Sequence, residues 1–435
     1  MASKESIFWW ETTTIPTAAP EPPAGMVDVA VIGGGINGLS AAYALAKQGV
    51  KVAVLEAQSI GWGASSRNGG MVLTGLRLGV DTLLARYGRE RAQAMFAASV
   101  KAIDYIEQLI RTEQIECDFV RCGHLEVACK PAHFKHFAHI AELSAQIFNH
   151  PVRLLTQQEL HSEIGSDLYH GGLVDELSAS VNPARYVAGL ARAAQKAGAK
   201  LYEYAAVQRV EREGAAFRLA TLHGTLRADK VFAGTGGYTG PATPALRKKL
   251  FPVGSYIIVT EPISAEIAQS ISPQRRMMFD SKNFLSYFRL IPAYTRDAQG
   301  QQRMLFGGRA AFYPETPARV RASAEITRRG MIEVFPQLRN VRVDYVWGGT
   351  LDISFDRMPH VGQIDGLYHA IGYAGHGVAL STYLGAQTAE IICGKAADSP
   401  FAAIPFPGAP LGLYDGRPWF LPFAEQWYHF LDWIR

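Results

Sequence analysis

Three glycines near the amino terminus have the spacing of a dinucleotide-binding turn. Gly33, Gly35 and Gly38 form a G-x-G-x-x-G pattern between the apolar segment 26–32 and a predicted helix, and Glu56 ends the next apolar segment. Glycines allow a tight turn and a close approach of a pyrophosphate to a helix N-terminus, while a carboxylate accepts hydrogen bonds from a ribose. The pattern therefore predicts a site for a dinucleotide whose ribose carries no extra phosphate.

Three further glycine-rich segments distinguish between the two common dinucleotides. They are GWGASSRNGG at 61–70, GTGG at 234–237 and GYAGHG at 372–377. NAD needs only the first turn, whereas FAD must also place its second phosphate, its ribityl chain and its ring. The last segment precedes a predicted helix, whose N-terminus can stabilise negative charge on a reduced ring. We therefore predict FAD.

At these motifs the chain resembles the family of FAD enzymes that contains glycine oxidase, sarcosine oxidase and D-amino-acid oxidase. It is most similar to bacterial members that oxidise γ-glutamylputrescine and related amines. The resemblance covers about 27–394, including VAVIGGGINGLSAAYALA, GASSRNGG, VNPARYVAGLARAAQKAGA, LFGGR and PHVGQIDGLYHAIGYAGHGVALS. It implies that flavin N5 takes a hydride from the carbon beside an amine, that the imine is hydrolysed, and that O₂ reoxidises the flavin to give hydrogen peroxide.

The predicted cofactor-binding residues follow from the glycine turns and from this resemblance. Sarcosine oxidases carry a cysteine that holds the flavin covalently, and the matching stretch here, 347–359 (WGGTLDISFDRMP), has no cysteine. We therefore expect FAD to be bound non-covalently. Its predicted ligands are Gly33, Gly35, Ile36, Asn37, Gly38, Glu56, Ala57, Gly63, Ala64, Ser65, Ser66, Arg67, Asn68, Gly69, Gly70, Val207, Thr235, Gly236, Gly375, His376, Gly377, Val378 and Ala379.

Five polar side chains are candidates for catalysis on the substrate side of the flavin. Tyr256, Tyr287 and Arg309 come from the β-rich part of the chain, which roofs the flavin in the related enzymes, and His376 and Arg67 come from the glycine-rich turns. An amine must be neutral before it can lose a hydride, and an apolar aromatic pocket favours the neutral form. Structural alternatives stay open: sheet packing for the tyrosines, a salt bridge for Arg309 and turn shaping for His376. Arg67 either pairs with a phosphate or polarises the ring edge.

The substrate and the electron acceptor are not fixed by these residues. The lysine that follows Gly-His-Gly in sarcosine oxidases and binds the substrate carboxylate is absent here (GHGVALS), which argues against a small N-methyl amino acid. We expect an amine or amino-acid oxidase that uses O₂. The alternatives are a dehydrogenase of the same fold that passes electrons to a quinone or a carrier protein, and a non-catalytic flavin-binding protein.

The elements that must position these residues fall into two lobes. Segments 26–32 and 51–56 are typical of buried parallel strands around a helix, whereas 256–312 indicates an antiparallel sheet. At 435 residues the chain is about twice the length at which a single core stops growing. We predict an α/β fold with an α+β second lobe, that is, a Rossmann-like FAD-binding domain with a discontinuous antiparallel-sheet substrate domain. The expected boundaries are 1–25 for an extended amino-terminal lead, 26–85, 150–250 and 345–400 for the FAD-binding domain, 86–149 and 251–344 for the substrate domain, and 401–435 for an aromatic amphipathic segment.

Composition excludes several classes of protein. Hydrophobic residues make up 48% and charged residues 19%, which excludes a disordered chain. The 43 basic and 39 acidic residues leave a net charge of +4, too small for a nucleic-acid binder. Four cysteines without a Cys-x-x-Cys pair favour a reducing cytoplasm. We expect neither a membrane span nor an export signal, because no apolar stretch of the required length occurs.

Two other patterns have plain interpretations. His133, His136 and His139 lie at three-residue intervals, which drift around a helix, so we expect a solvated face and no metal site. At the carboxyl terminus, apolar residues at helical spacing predict an amphipathic helix. We expect it to pack on its own protein, with a peripheral membrane contact or a dimer contact as alternatives. These apolar residues are Phe423, Trp427, Phe430, Leu431 and Ile434.

Overall fold

The computed structural model describes residues 3–16, 18, 19, 21–295, 300–311, 317–395, 399–402, 404–412, 414–423, 426 and 427. Residues 309–311, 317 and 411 are described by their backbone only. The strands are β1 Met26–Ile32, β2 Val52–Leu55, β3 Met71–Val72, β4 His124–Val127, β5 Arg153–Thr156, β6 Gly171–Asp175, β7 Ala179–Ser180, β8 Lys200–Tyr202, β9 Val207–Glu213, β10 Ala216–Thr221, β11 Thr225–Ala233, β12 Leu250–Thr260, β13 Met277–Asp280, β14 Tyr287–Pro292, β15 Gln302–Ala311, β16 Val343–Ser354, β17 His360–Ile364 and β18 Leu367–Ile371. The α-helices are α1 Ile36–Ala46, α2 Val80–Thr112, α3 Pro131–Gln146, α4 Pro183–Lys196, α5 Pro244–Arg247, α6 Ala265–Ile271, α7 Pro317–Val334 and α8 Gly377–Ile392.

The first sheet has the order β17-β18-β11-β1-β2-β8, with β10 and β9 continuing from β11. Its central strands are parallel and consist mainly of β-branched and small apolar residues, as buried parallel strands require. Helices α1, α4 and α8 pack together beside this sheet, and α2 packs against α8. Because parallel strands end at the same edge, the turns that follow β1, β2, β11 and β18 come together there.

The second sheet has the order β16-β12-β15-β14-β13-β4-β6-β5 and is antiparallel except between β13 and β4. Its two faces have different neighbours. One face packs against α7 and carries Ile258, Phe306 and Val346. The other face, which we call the inner face, carries Ile257 and Trp347 and packs against the amino-terminal residues and the turn after β2. The predicted fold class, a Rossmann-like FAD domain with an antiparallel-sheet lobe, is confirmed.

Several strands lie elsewhere than the predicted boundaries place them. The boundaries assign 150–250 and 345–400 to the FAD-binding domain, but β5, β6 and most of β16 pair within the second sheet. These strands are short or rich in glycine and small residues, so their own sequence does not show which sheet they join. The remaining domain boundaries stay a prediction.

Described segments near both ends of the chain pack against the second sheet. The amino-terminal lead is not extended throughout, because Phe8–Thr12 forms a 3₁₀ helix with Trp9 fully buried. Near the other end, Leu421 packs with Val253 of β12. Phe423 and Trp427 are mostly exposed, and the packing of the carboxyl-terminal helix stays a prediction. Phe430, Leu431 and Ile434 lie outside the described residues. Within the described parts of the chain, no helix is long and apolar enough to cross a membrane.

The histidines of α3 do not form a metal site in the described structure. His136 lies 3.7 Å from Asp81 on an exposed surface, and the His133 ring contacts the Ser281 hydroxyl. Over the residues that the structure describes, no group of three or more metal-ligating side chains is found. His136 and His139 are exposed, as expected of a solvated helix face.

Candidate active site

A cavity of about 400 Å³ lies where the turns of the first sheet meet the second sheet. Its lining includes Glu56 after β2, Val207 at the start of β9, and Gly375 and Ser381 around the first turns of α8. Among the predicted cofactor residues, it is lined by Gly33, Gly35, Ile36, Asn37, Glu56, Ala57, Gly63, Ala64, Ser65, Asn68, Val207, Thr235, Gly236, Gly375, Gly377 and Val378. Gly38, Ser66, Arg67, Gly69, Gly70, His376 and Ala379 lie outside this lining, so their assigned contacts stay predictions.

The first glycine turn closes one wall of the cavity. A Cβ atom on Gly33 would stand 2.9 Å from the carbonyl oxygen of Gly234, and φ at Gly33 is +105°. A Cβ on Gly35 would stand 2.6 Å from the Ser65 hydroxyl, which accepts a hydrogen bond from the Ile36 N–H at 2.9 Å. Gly35 provides no side-chain cap for α1. The helix therefore presents its N-terminal dipole and its first amides to the cavity.

Glu56 directly follows β2 and lines this cavity. Its carboxylate accepts hydrogen bonds from the amides of Gly34 and Gln58 at 2.7 and 2.9 Å. Burial raises the pKa of Glu56, although these two amide donors oppose the rise. Hydrogen bonds from both sides hold the carboxylate in one orientation, which leaves it placed to accept further hydrogen bonds from hydroxyl groups in the cavity.

The turn at 61–70 connects the cavity wall to the second sheet through Arg67. The Arg67 guanidinium donates to the carbonyl of Trp62 at 2.7 Å and to the carbonyl of Gly348 in β16 at 3.0 Å. It lies 4.2 Å from the centre of the Trp62 ring. In return, the Trp347 indole donates to the Arg67 carbonyl at 2.8 Å. Arg67 is thus bound between the two lobes, and this geometry gives its predicted phosphate contact no support.

Asp352 in β16 also lines the cavity, and the sequence analysis did not identify it. Its carboxylate accepts hydrogen bonds from the amides of Gly372 and Tyr373 at 2.7 and 3.3 Å. Burial raises the pKa of Asp352 to about 6. The only sequence signal was an acidic residue within an otherwise apolar and glycine-rich strand. Through these two hydrogen bonds Asp352 holds the GYAGHG turn in place. The turn in turn positions the start of α8 beside the cavity.

His376 lies at the N-cap position of α8, beside the lining residues Gly375 and Gly377. Its backbone N–H donates to the carbonyl of Tyr373 at 3.0 Å. The Nδ1 atom is buried and has no hydrogen-bond partner among the residues described. Burial, together with the positive charge of Arg77, lowers the pKa of His376 to about 3, so the imidazole is neutral at physiological pH.

The predicted substrate-side residues occupy different environments. Tyr287 lies on the inner face, where its ring would be 3.1 Å from a Cβ on Gly69, and its hydroxyl is 3.2 Å from that of Ser255. Burial raises the pKa of Tyr287 to about 12. Tyr256 is buried in the core between the sheet and α7, so sheet packing accounts for its position. Arg309 lies in β15, and its side chain is outside the described structure.

Glu126 in β4 is a further acidic group that sequence reasoning missed. The β4–β13 register pairs it with Phe279, which in turn pairs with Tyr287, so all three lie on the inner face. In the described structure, the Glu126 carboxylate has no hydrogen-bond or salt-bridge partner. Burial raises its pKa to about 7, and the positive charge of Arg77 opposes the rise. The positive charge of Arg77 therefore acts on both Glu126 and His376.

Comparison with known proteins identifies the family. The family model described as FAD dependent oxidoreductase (DAO) matches residues 28–391. The chain belongs to this family. A probable oxidoreductase OrdL from Haemophilus influenzae is 32% identical, over 94% of this chain and 92% of the relative. Gamma-glutamylputrescine oxidoreductase from Escherichia coli is also 32% identical, over 92% and 90%. The crystal structure of glycine oxidase from Geobacillus kaustophilus superimposes with a TM-score of 0.74 at 21% identity, covering 88% of this chain and all of that one.

The cavity of this FAD-dependent oxidoreductase fits its cofactor. The turn that closes on Gly234 and Ser65 leaves a narrow channel at the N-terminus of α1, which suits a pyrophosphate. Glu56 and the start of α8 both line this cavity, where they would meet a ribose and the flavin ring. None of the four cysteines lines the cavity. FAD is the cofactor of this family, and the individual residue contacts stay predictions.

Proposed function

We propose that this FAD-dependent oxidoreductase oxidises the C–N bond of an amine or amino acid, with non-covalent FAD and with O₂ as electron acceptor. The products would be an aldehyde or oxo acid, an amine or ammonia, and hydrogen peroxide. The observation that carries the proposal is the packing of the inner face of the second sheet, through Tyr287 on Gly69, against the turn at 61–70, whose residues Ala64, Ser65 and Asn68 line the cavity. Relatives named for γ-glutamylputrescine and for glycine support this substrate class.

The described residues would favour the reactive form of an amine. Bound FAD supplies the acceptor for a hydride from the carbon beside nitrogen. Tyr287 packs against the turn at 61–70 and excludes water there, which favours a neutral amine over an ammonium ion. His376 is neutral and adds no positive charge next to the substrate. Glu126, whose pKa is about 7, can accept the proton that the ammonium ion must lose.

The proposal is tested by mixing the purified holoprotein anaerobically with a panel of amines and with the alcohols that have the same carbon skeleton. We expect at least one amine, but none of the alcohols, to bleach the flavin. Equal bleaching by the matched alcohol would refute C–N specificity. A flavin that stays with the acid-precipitated protein would refute non-covalent binding.

A second candidate is a dehydrogenase of the same fold that delivers electrons to a quinone. Trp419, Phe423 and Trp427 are 58, 72 and 59% exposed in the carboxyl-terminal segment, which favours an apolar surface, either a membrane or a second copy. In the same anaerobic experiment, reduced flavin that air restores slowly and a soluble quinone restores rapidly would favour the dehydrogenase. Rapid reoxidation by air with stoichiometric peroxide would favour the oxidase.

The cellular location is proposed from the cysteines. Cys117, Cys122, Cys129 and Cys393 are all unpaired, which is typical of a reducing compartment. We therefore propose a cytoplasmic enzyme, with any membrane association limited to the exposed carboxyl-terminal aromatics.

A further inference from the structure

Residues 3–12, which we call the amino-terminal strap, connect the edge of the second sheet to the cofactor cavity. The strap lies outside the residues 28–391 that the family model matches. Lys4 pairs in parallel with β16: its N–H donates to the Asp344 carbonyl at 2.7 Å, and its carbonyl accepts from the Val346 N–H at 3.0 Å. The Thr12 hydroxyl accepts from the Asn182 amide at 2.9 Å. The strap is therefore fixed at both ends.

The first of two consecutive indoles in the strap holds the turn at 61–70 from one side. Trp9 has no exposed surface, and its Nε1 donates to the carbonyl of Asn68 at 2.9 Å. The Arg289 guanidinium lies 5.6 Å from the centre of the Trp9 ring and donates to the Gly69 carbonyl at 2.8 Å. Two consecutive carbonyls of the turn thus accept hydrogen bonds from side chains that pack on each other.

The second indole, that of Trp10, contacts the same turn although its side chain is partly exposed. Trp10 is 37% exposed, yet its Nε1 donates to the Ser66 hydroxyl at 2.8 Å. That hydroxyl donates in turn to the carbonyl of Gly61. The Arg67 guanidinium lies 5.5 Å from the Trp10 ring. An exposed tryptophan with a directed hydrogen bond contributes orientation more than hydrophobic stability.

The turn residues that the strap contacts are hydrogen-bonded to residues that line the cavity. The Asn68 amide donates to the carbonyls of Ala64 and Ser65 at 3.1 and 2.9 Å, so Asn68 fixes the segment that carries Ser65. The Ser65 hydroxyl binds the Ile36 N–H at the start of α1. Ala64, Ser65 and Asn68 line the cavity, whereas no residue of the strap does. The strap is therefore connected to the cavity lining through this turn.

We propose that Trp9 and Trp10 are positioning residues for FAD: their indole N–H groups hold the turn at 61–70 in the conformation that binds the cofactor. The two tryptophans bind neither FAD nor substrate. Their effect is on the affinity for FAD and on the environment of the flavin. The proposal depends on FAD binding and is independent of the substrate that the enzyme oxidises.

The test measures the dissociation constant for FAD of the full-length apoprotein, by titration with flavin fluorescence. Trp10→Phe keeps an aromatic, although smaller, ring and removes the donor, and we expect about fivefold weaker binding, the usual effect of one lost neutral hydrogen bond. Trp9→Phe should weaken binding at least as much. Trp419→Phe removes an indole N–H from an exposed site in the carboxyl-terminal segment and should leave the dissociation constant unchanged.

Two measurements separate positioning from general stability. Thermal unfolding of the Trp10→Phe apoprotein should match the wild type, and the near-ultraviolet circular dichroism of the bound flavin should change. In a double-mutant cycle, Trp10→Phe and Ser66→Ala should be non-additive in the FAD dissociation constant, because both break the same hydrogen bond. Wild-type affinity in both phenylalanine variants, full additivity with Ser66→Ala, or loss of apoprotein stability equal to the loss of affinity would overturn the proposal.

Discussion

At the scale of single residues, the cofactor cavity depends on glycines, whose missing side chains leave room for neighbouring atoms. Gly35 is the clearest case, because the Ser65 hydroxyl occupies the space that a side chain would need. The same hydroxyl binds the Ile36 N–H, so it cannot move without losing a hydrogen bond at the start of α1. Gly35 thus combines two requirements, a close approach and an open helix N-terminus.

We expect Gly35→Ala to weaken FAD binding at least tenfold, because the new methyl group displaces Ser65 Oγ and narrows the channel. The measurement is the FAD dissociation constant of the refolded apoprotein. Gly362→Ala in β17 is the matched control, since its Cβ would stand at an ordinary 3.6 Å from the His369 ring. Equal affinity in Gly35→Ala and Gly362→Ala would show that the pyrophosphate lies elsewhere.

Glu126 gives a prediction about pH. A carboxyl whose pKa is raised in the folded state, here from 4.5 to about 7, binds its proton more tightly when folded. Its stabilising contribution is fully present below about pH 4.5 and is lost as the pH rises through 7. We expect the urea midpoint of the apoprotein to fall over this window, and to fall less in Glu126→Gln.

The control for this pH effect is Glu325→Gln, which removes a carboxylate from an exposed ion pair on α7. Its pH profile should follow the wild type. If the profiles of Glu126→Gln and the wild type run parallel between pH 4.5 and 8, Glu126 does not carry the raised pKa.

At the scale of elements, the sequence predicts structure that forms between neighbouring residues, but not the pairing of strands that are far apart in the chain. The β1 strand, the glycine turn and α1 follow each other directly, so 26–32 is a strand as predicted. In contrast, the alternation of residues around Gly123 in 118–129 by itself favours a local hairpin, but β4 in this segment pairs with β13 and β6. Glu126 was therefore missed, because nothing within β4 indicates a partner 150 residues away. The sequence shows that Arg67 lies in a glycine-rich turn. It does not show that Arg67 binds the carbonyl of Gly348 in β16, because the two residues are far apart in the chain.

Helices α1 and α8 both begin at the cavity lining, and a glycine allows them to pack closely. A Cβ on Gly385 in α8 would stand 2.6 Å from the Asn37 carbonyl of α1, a backbone atom that cannot rotate away. We expect Gly385→Ala to lower the free energy of unfolding by about 1–3 kcal/mol through overpacking. Urea denaturation of the apoprotein measures it.

The matched control is Gly330→Ala in α7, where the new Cβ would meet only Phe306 at 3.8 Å. Since alanine favours a helix over glycine, this variant should gain up to about 1 kcal/mol. A stabilised Gly385→Ala would mean that the two helices have room to separate.

At the scale of the whole molecule, the site exists only where the two sheets meet. The inner face of one sheet covers the turns of the other, and three hydrogen bonds join the turn at 61–70 to β14 and β16: Arg67 to Gly348, Trp347 to Arg67, and Arg289 to Gly69. The strands of both sheets are interleaved along the chain, so neither lobe forms from one continuous segment. The cavity therefore depends on both sheets, because its lining combines turns of the first sheet with residues 350–352 of β16.

The most direct test of C–N oxidation is the product balance of a single anaerobic turnover. The holoprotein is mixed with an excess of the amine that bleaches its flavin, and carbonyl product and released amine or ammonia are counted against flavin reduced. We predict one carbonyl and one released nitrogen for each flavin. Bleached flavin with neither product would contradict C–N oxidation.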